Sequence, residues 1–287
     1  MTNNASRLLV VATVLSACTL LTTAAGTAGA GATARSTAVD PASPAGVRPL
    51  GAERASASEL VFSDEFTDSA LDSTKWTALD QERDPHDGIR WWYKPANVRP
   101  DAAGQGALAI DVRNIGAGQY AGGRIETKSK YAWHGGAIEF KVHVPPTNGH
   151  LAAVWLQHPT HGSTPGTAAD GAEIDIAETA YQSDTYSTNI HYDGYGADHK
   201  ASPGVLDAAA LHSTYWHTFG LSWTGDYLKF LYDGQVVRTV TDPQQIPLVD
   251  EFIVISHEIS AFPEGNIADE TFDSGSTMYV DYVRVWK

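Results

Sequence analysis

Glu173-Ile174-Asp175-Ile176-Ala177-Glu178 sets three carboxylates among apolar residues, and the way this hexapeptide runs decides both its layer and its chemistry. Side chains on a strand alternate faces, so Glu173 and Asp175 share one face while Ile174 and Ile176 fill a core on the other. Glu178 stands at an odd offset from Glu173. On a regular strand it would enter the core, where an unpaired carboxylate is costly. A β-bulge beside Ala177 absorbs one residue and returns Glu178 to the acidic face. The segment is therefore predicted to be a bulged strand lining a cleft, with all three acids on one wall.

Acids held this close repel one another, and the repulsion pushes at least one pKa upward. Retaining hydrolysis of a glycosidic bond needs such a division: an ionised nucleophile and a protonated general acid, their carboxyl groups roughly 5–5.5 Å apart. Four effective strand steps separate the backbones of Glu173 and Glu178 by roughly 13 Å, so the long side chains must lean together. Asp175, between them, is placed to hydrogen-bond Glu173 and to influence which group keeps the proton.

Glu173-x-Asp175-x-x-Glu178 resembles the bulged signature of glycoside hydrolase family 16. Other segments agree in order: Val61-Phe62-Ser63-Asp64-Glu65-Phe66, Gly123-Arg124-Ile125-Glu126, Trp216 to Trp223, and Val280-Asp281-Tyr282-Val283-Arg284-Val285. The resemblance covers 59–287. It implies Glu173 as nucleophile, Asp175 as assisting acid and Glu178 as acid/base in a retaining, endo-acting hydrolase of β-linked polysaccharide. No cofactor is implied for catalysis. A structural Ca²⁺ is, with Glu65 and Asp281 as candidate ligands offering hard oxygen donors.

Arg7, the apolar run Leu8 to Leu21 and Ala28-Gly29-Ala30 read as a secretory signal peptide over 1–30, so the protein is expected outside the cell. Leu15-Ser16-Ala17-Cys18 offers the alternative of a lipid anchor at Cys18 on the cell surface. Cys18 is the only cysteine, which leaves the mature domain without a disulfide. Residues 31–58, rich in Ala, Ser, Thr, Pro and Gly, are expected to be a disordered linker. The catalytic domain is then 59–287, read as a monomer. A formal net charge of −15 argues against nucleic acid or an anionic membrane as partner, and favours a neutral polysaccharide over a polyanionic one.

Beyond residue 59 the chain breaks into short runs of strand composition: 107–113, 124–131, 137–144, 151–158, 186–192, 215–223, 227–232, 252–256 and 278–286. Asp233-Gly234 signals a hairpin into Val236–Val240, and Ala208–His212 is allowed one helical turn. Helical periodicity is otherwise nearly absent. The expected fold is all-β: a jelly-roll sandwich of two antiparallel sheets, as the family resemblance also implies, with substrate in the concave sheet's groove.

Sugar rings stack their C–H faces on aromatic side chains, so the groove should present Trp and Tyr. Trp91-Trp92-Tyr93 is the candidate platform, with at least one member facing the groove and at least one structural, because neighbours on a strand face opposite ways. Trp155 is a further candidate. Trp216 and Trp223 are assigned to the core. By resemblance, His191 contacts substrate beside the acids, and Arg124 hydrogen-bonds sugar or supports Glu173. His191, Asp193, Asp198 and His199 carry metal-ligating groups, but a Gly-rich loop fixes no ligand geometry. Leu151, Gly88-Ile89-Arg90 and Ser256-His257-Glu258 depart from the family's β-1,3-glucan hydrolases, and Glu258 is read as a rim residue or an added polar contact. The leading function is hydrolysis of β-1,3- or mixed-linkage β-glucan. The alternatives are a galactan or agar-type hydrolase, a transglycosylase, and a non-catalytic carbohydrate-binding protein.

Overall fold

The computed structural model describes residues 38–51, 59–100, 106–180, 183–213, 216–263, 265–269 and 275–287. The expected signal peptide over 1–30, Cys18 included, lies outside the described residues. The strands are β1 (Leu60–Asp64), β2 (Thr77–Ala78), β3 (Gln81–His86), β4 (Ile89–Tyr93), β5 (Val98–Arg99), β6 (Leu108–Gly116) and β7 (Gln119–Glu126). They continue as β8 (Ala132–Trp133), β9 (Gly136–His143), β10 (His150–Gln157), β11 (Glu173–Thr179), β12 (Thr185–Tyr192), β13 (Lys200–Ala201) and β14 (Gly204–Asp207). The last are β15 (His217–Trp223), β16 (Leu228–Tyr232), β17 (Gln235–Val240), β18 (Glu251–Ile259) and β19 (Ser276–Trp286). Helix among the described residues is confined to single 3₁₀ turns, and 208–212 forms hydrogen-bonded turns instead.

Two layers result. The back layer runs β17-β16-β15-β9-β19, with β6 and β1 sharing the far edge of β19. The front layer runs β14-β12-β11-β10-β18-β7. Pairing is antiparallel except between β4 and β7. The two layers stand as expected, and β6 links them: it pairs with β19 through Leu108–Val112 and with β7 through its outer half, which joins all strands in one hydrogen-bonded network. Asp233 (φ 47°) and Gly234 (φ 75°) make the predicted hairpin turn between β16 and β17.

Alternation puts Ile138, Phe140, Phe219, Leu221, Val283 and Val285 of the back layer against Ile125, Val154, Leu156, Ile174, Ile190 and Ile253 of the front. This apolar filling is what a disulfide-free domain relies on. Gly122 lets β7 approach β18, since a Cβ there would meet the His257 carbonyl oxygen at 2.3 Å.

Three expectations are corrected here. Residues 38–51 do not behave as a free linker: Ala38 is buried in the core, Leu50 N–H donates to Glu139 and the Trp286 indole donates to the Val47 carbonyl. Apolar Ala38 and Val47, spaced through the polar stretch, explain this docking. Trp216 precedes β15 and is half-exposed, with the Lys141 ammonium 5.6 Å above its ring, whereas Trp223 is in the core as expected. Glu65 and Asp281 do not make a calcium site. Both Glu65 oxygens are held by Arg284, at 2.9 and 2.7 Å, and Asp281 pairs with Lys141 at 2.6 Å, so each acid already has its cation.

Candidate active site

The bulge forms where the acid parity requires it. On one side of β11, Val154 stands opposite Ala177 and Trp155 opposite Asp175, leaving Ile176 without a partner on β10. On the other side, Asp175 faces Asn189 and Glu178 faces Ser187, so Ile176 and Ala177 together oppose Thr188 alone. Both residues are apolar and buried. The extra residue therefore goes to the core, and Glu178 emerges beside Glu173 and Asp175.

Neighbouring strands complete the cluster through register. Gln157, opposite Glu173 on β10, donates Nε2–H to Glu173 Oε2 at 2.7 Å. The Tyr195 hydroxyl, from the loop after β12, is raised well above its ordinary value by burial and then by the charge of Glu173. The charge-assisted bond from Gln157 holds the Glu173 carboxylate in a fixed rotamer. His191, opposite Glu173 on β12, places Nε2 3.4 Å from Asp175 Oδ2, and its Nδ1 lies 2.9 Å from His199 Nε2. Glu173, Asp175 and His191 bring one ligating atom each within 4.8 Å of one another, which among the described residues is the cluster able to hold a cation.

The electrostatics separate the acids by role. Burial, then the charge of Glu173, pushes Asp175 up to about 6. Burial, followed by Asp175, Glu173 and Glu258, raises Glu178 well above its ordinary value and so favours its protonated form. Burial alone would lower His191. The hydrogen bond and charge of Asp175 outweigh it and leave the imidazole raised. A fixed carboxylate and an acid whose protonated form is favoured share one face, the arrangement that acid-assisted displacement at an acetal carbon requires.

The predicted binding residues divide. Trp155 lies in the cluster opposite Asp175, its indole donating to Ser256 Oγ at 3.1 Å and its ring covered by the Arg124 guanidinium at 4.6 Å. Arg124 is ion-paired with Glu126 at 2.7 Å and reaches Glu173 only through Gln157, whose Oε1 is 3.3 Å from Nη2. Trp91 and Trp92 are corrected as a platform. Trp91 is buried, donating to the Asp84 carbonyl and packing edge-on to Tyr93. Trp92 pairs opposite Ala121, which alternation puts on the face away from Arg124, and Arg90 covers its ring at 5.0 Å. Tyr93 is the member of the trio that reaches the site, its hydroxyl donating to Glu258.

Gln157 and Tyr195 are site residues that the sequence reading leaves out. Gln157 has a usable signal, because it follows Trp155 by two positions and so shares its face. Tyr195 has none, since its placement depends on a loop that folds back over β12.

Comparison with known proteins agrees with this geometry. The family model Glycosyl hydrolases family 16 matches residues 86–284. The glucan endo-1,3-beta-glucosidase A1 of Niallia circulans is 25% identical over 258 residues, covering 79% of this chain and 38% of that protein. A glucan endo-1,3-beta-glucosidase of Cryptopygus antarcticus is 26% identical over 190 residues, covering 58% of this chain and 67% of that one. The chain thus spans well under half the length of the Niallia relative. Among solved structures, a glycoside hydrolase family 16 endo-glucanase from Bacteroides ovatus in complex with G4G3G-2F-DNP superposes with a TM-score of 0.65 at 23% identity, covering 78% of this chain and 99% of that one.

Proposed function

The chain belongs to glycosyl hydrolases family 16, and from that premise we propose that it is a retaining, endo-acting hydrolase of a neutral β-glucan, β-1,3-linked or of mixed linkage. The observation that carries the reading is the bulge, which sets Glu173 and Glu178, the latter raised by burial, on one face with Asp175 between them. The relatives named as glucan endo-1,3-beta-glucosidases support the choice of glucan.

In the first step, a Glu173 oxygen attacks the anomeric carbon while Glu178 gives its proton to the departing glycosidic oxygen, leaving a glycosyl ester on Glu173. Gln157 fixes the attacking carboxylate. Departure of the leaving chain leaves Glu178 as a carboxylate, which takes a proton from water as the water attacks the same carbon and frees Glu173. Each step inverts the anomeric centre, so the product keeps the β configuration. No cofactor enters. A sugar hydroxyl in place of water gives transglycosylation from the same ester. Export by the leader over 1–30 places the enzyme where such a polymer is found.

The test is release of reducing sugar from laminarin, barley β-glucan, agarose and galactan, with Glu173→Gln in parallel. Activity on a glucan that is lost in the variant supports the proposal. Activity on galactan or agarose alone transfers it to the galactan branch, and inactivity on all four returns the chain to a binding role.

A further inference from the structure

Glu258 is a carboxylate on the acid-bearing face that the reaction does not use. On β18, Ser256 stands opposite Arg124, and Glu258, two residues further, stands opposite Leu151 of β10. Leu151 shares its face with Ala153, the register partner of Glu178. Glu258 therefore lies on the same wall as the acid/base, and its charge contributes to raising both Asp175 and Glu178. Tyr93 donates its hydroxyl to Oε2.

Some enclosed acids of the domain are paired with arginine, as Glu65 is with Arg284 and Glu126 with Arg124, while Glu139 is held by neutral donors at both oxygens, the Tyr282 hydroxyl and the Leu50 N–H. Glu258 is half-buried, and among the described residues no basic side chain lies within ion-pair distance and no donor reaches Oε1. On the wall of the acid/base it disfavours bound negative charge and destabilises the ionised form of the general acid. What it retains is a free acceptor beside the reacting groups. A pyranose offers hydroxyl donors there, and a charge-assisted bond to one of them is stronger than a neutral one.

We propose that Glu258 is a specificity residue, accepting a hydroxyl of the sugar bound beside Glu178 and rejecting sugars that carry sulfate or carboxylate at that position. The proposal rests on the glycan-hydrolase reading and narrows its substrate to glycans with a free hydroxyl there.

Two measurements keep the two ideas apart. Cleavage of laminarin, galactan and their sulfated forms by the unaltered protein tests the reaction. Retention in native gels containing the same four polymers, in a Glu173→Gln background with and without Glu258→Leu or Glu258→Gln, tests the residue independently of turnover. Glu258→Leu is expected to weaken retention by the neutral polymer roughly tenfold or more, because the sugar hydroxyl is buried without its acceptor. Glu258→Gln keeps an acceptor, so it is expected to hold the neutral polymer within a few-fold and to narrow the preference over the sulfated form by roughly tenfold. Unchanged retention and unchanged preference in both variants, with neutral glycan still cleaved by the unaltered enzyme, would overturn the role of Glu258 alone. Retention by none of the polymers would overturn both ideas.

Discussion

Glu173 and Glu178 are five positions apart on β11, yet both emerge on the same face, because Ile176 and Ala177 stand together against Thr188. The relationship ties the site to strand parity. Deleting Ala177 brings Glu178 to an even offset from Glu173, so a regular strand keeps it on the acidic face, and the variant should fold and retain hydrolysis. Hydrolysis assays and a denaturant titration of the deletion check both effects. An inactive, strongly destabilised deletion variant would contradict the parity argument.

Glu178 as general acid gives a leaving-group signature. Glu178→Gln should lower polysaccharide hydrolysis by about 10²–10⁴-fold. The loss should be much smaller for an aryl glycoside whose phenolate departs without a proton. Equal losses on both substrates would argue against the role.

The pH profile should move with the neighbours of Glu178. Its lost proton sets the descending limb, and Asp175 is one of the charges that raise it. Asp175→Asn removes that charge, so the limb should shift to lower pH, by about one unit. A shift to higher pH would reverse the electrostatic argument.

Asp175 also links pH to stability. Its folded-state value of about 6 lies above the ordinary 3.8, so the native state holds the proton more tightly. The associated stability is complete below about pH 4 and is lost as pH rises through about 6. Asparagine does not titrate. The unfolding free energy of Asp175→Asn relative to the wild type should therefore rise between pH 4 and pH 7, by up to about 3 kcal/mol. A constant difference at the two pH values would contradict this.

On the back layer, Arg284 holds Glu65 with both ends largely enclosed. Arg284→Met leaves that carboxylate without its cation and should cost about 3–5 kcal/mol in a denaturant titration. Restoring stability with a second change, Glu65→Leu, would identify the unpaired charge as the cause.

The acidic strand, its bulge and the two-layer fold were legible in the sequence because parity alone forces them: three acids and two isoleucines admit one arrangement on a pleated surface. The aromatic platform was not. Trp91, Trp92 and Tyr93 have the same composition signal whichever face they take, and only the parallel pairing of β4 with β7 shows that Tyr93 faces Arg124. The calcium ligands failed for a related reason. Glu65 and Asp281 each meet a basic side chain, Arg284 and Lys141, that strand pairing brings near, Arg284 standing opposite Ser63 and Lys141 opposite Tyr282. Docking of 38–51 was hidden by a composition that reads as linker while a few apolar side chains decide its course.

The most direct measurement is mass spectrometry of the protein incubated with an activated 2-deoxy-2-fluoro β-glucosyl oligosaccharide, which slows hydrolysis of a glycosyl ester enough to trap it. The predicted result is one added glycosyl group on the peptide carrying Glu173, absent in Glu173→Gln. An adduct on another residue, or rapid glucan cleavage with no adduct and an α-configured product, would contradict the assignment of Glu173 as nucleophile.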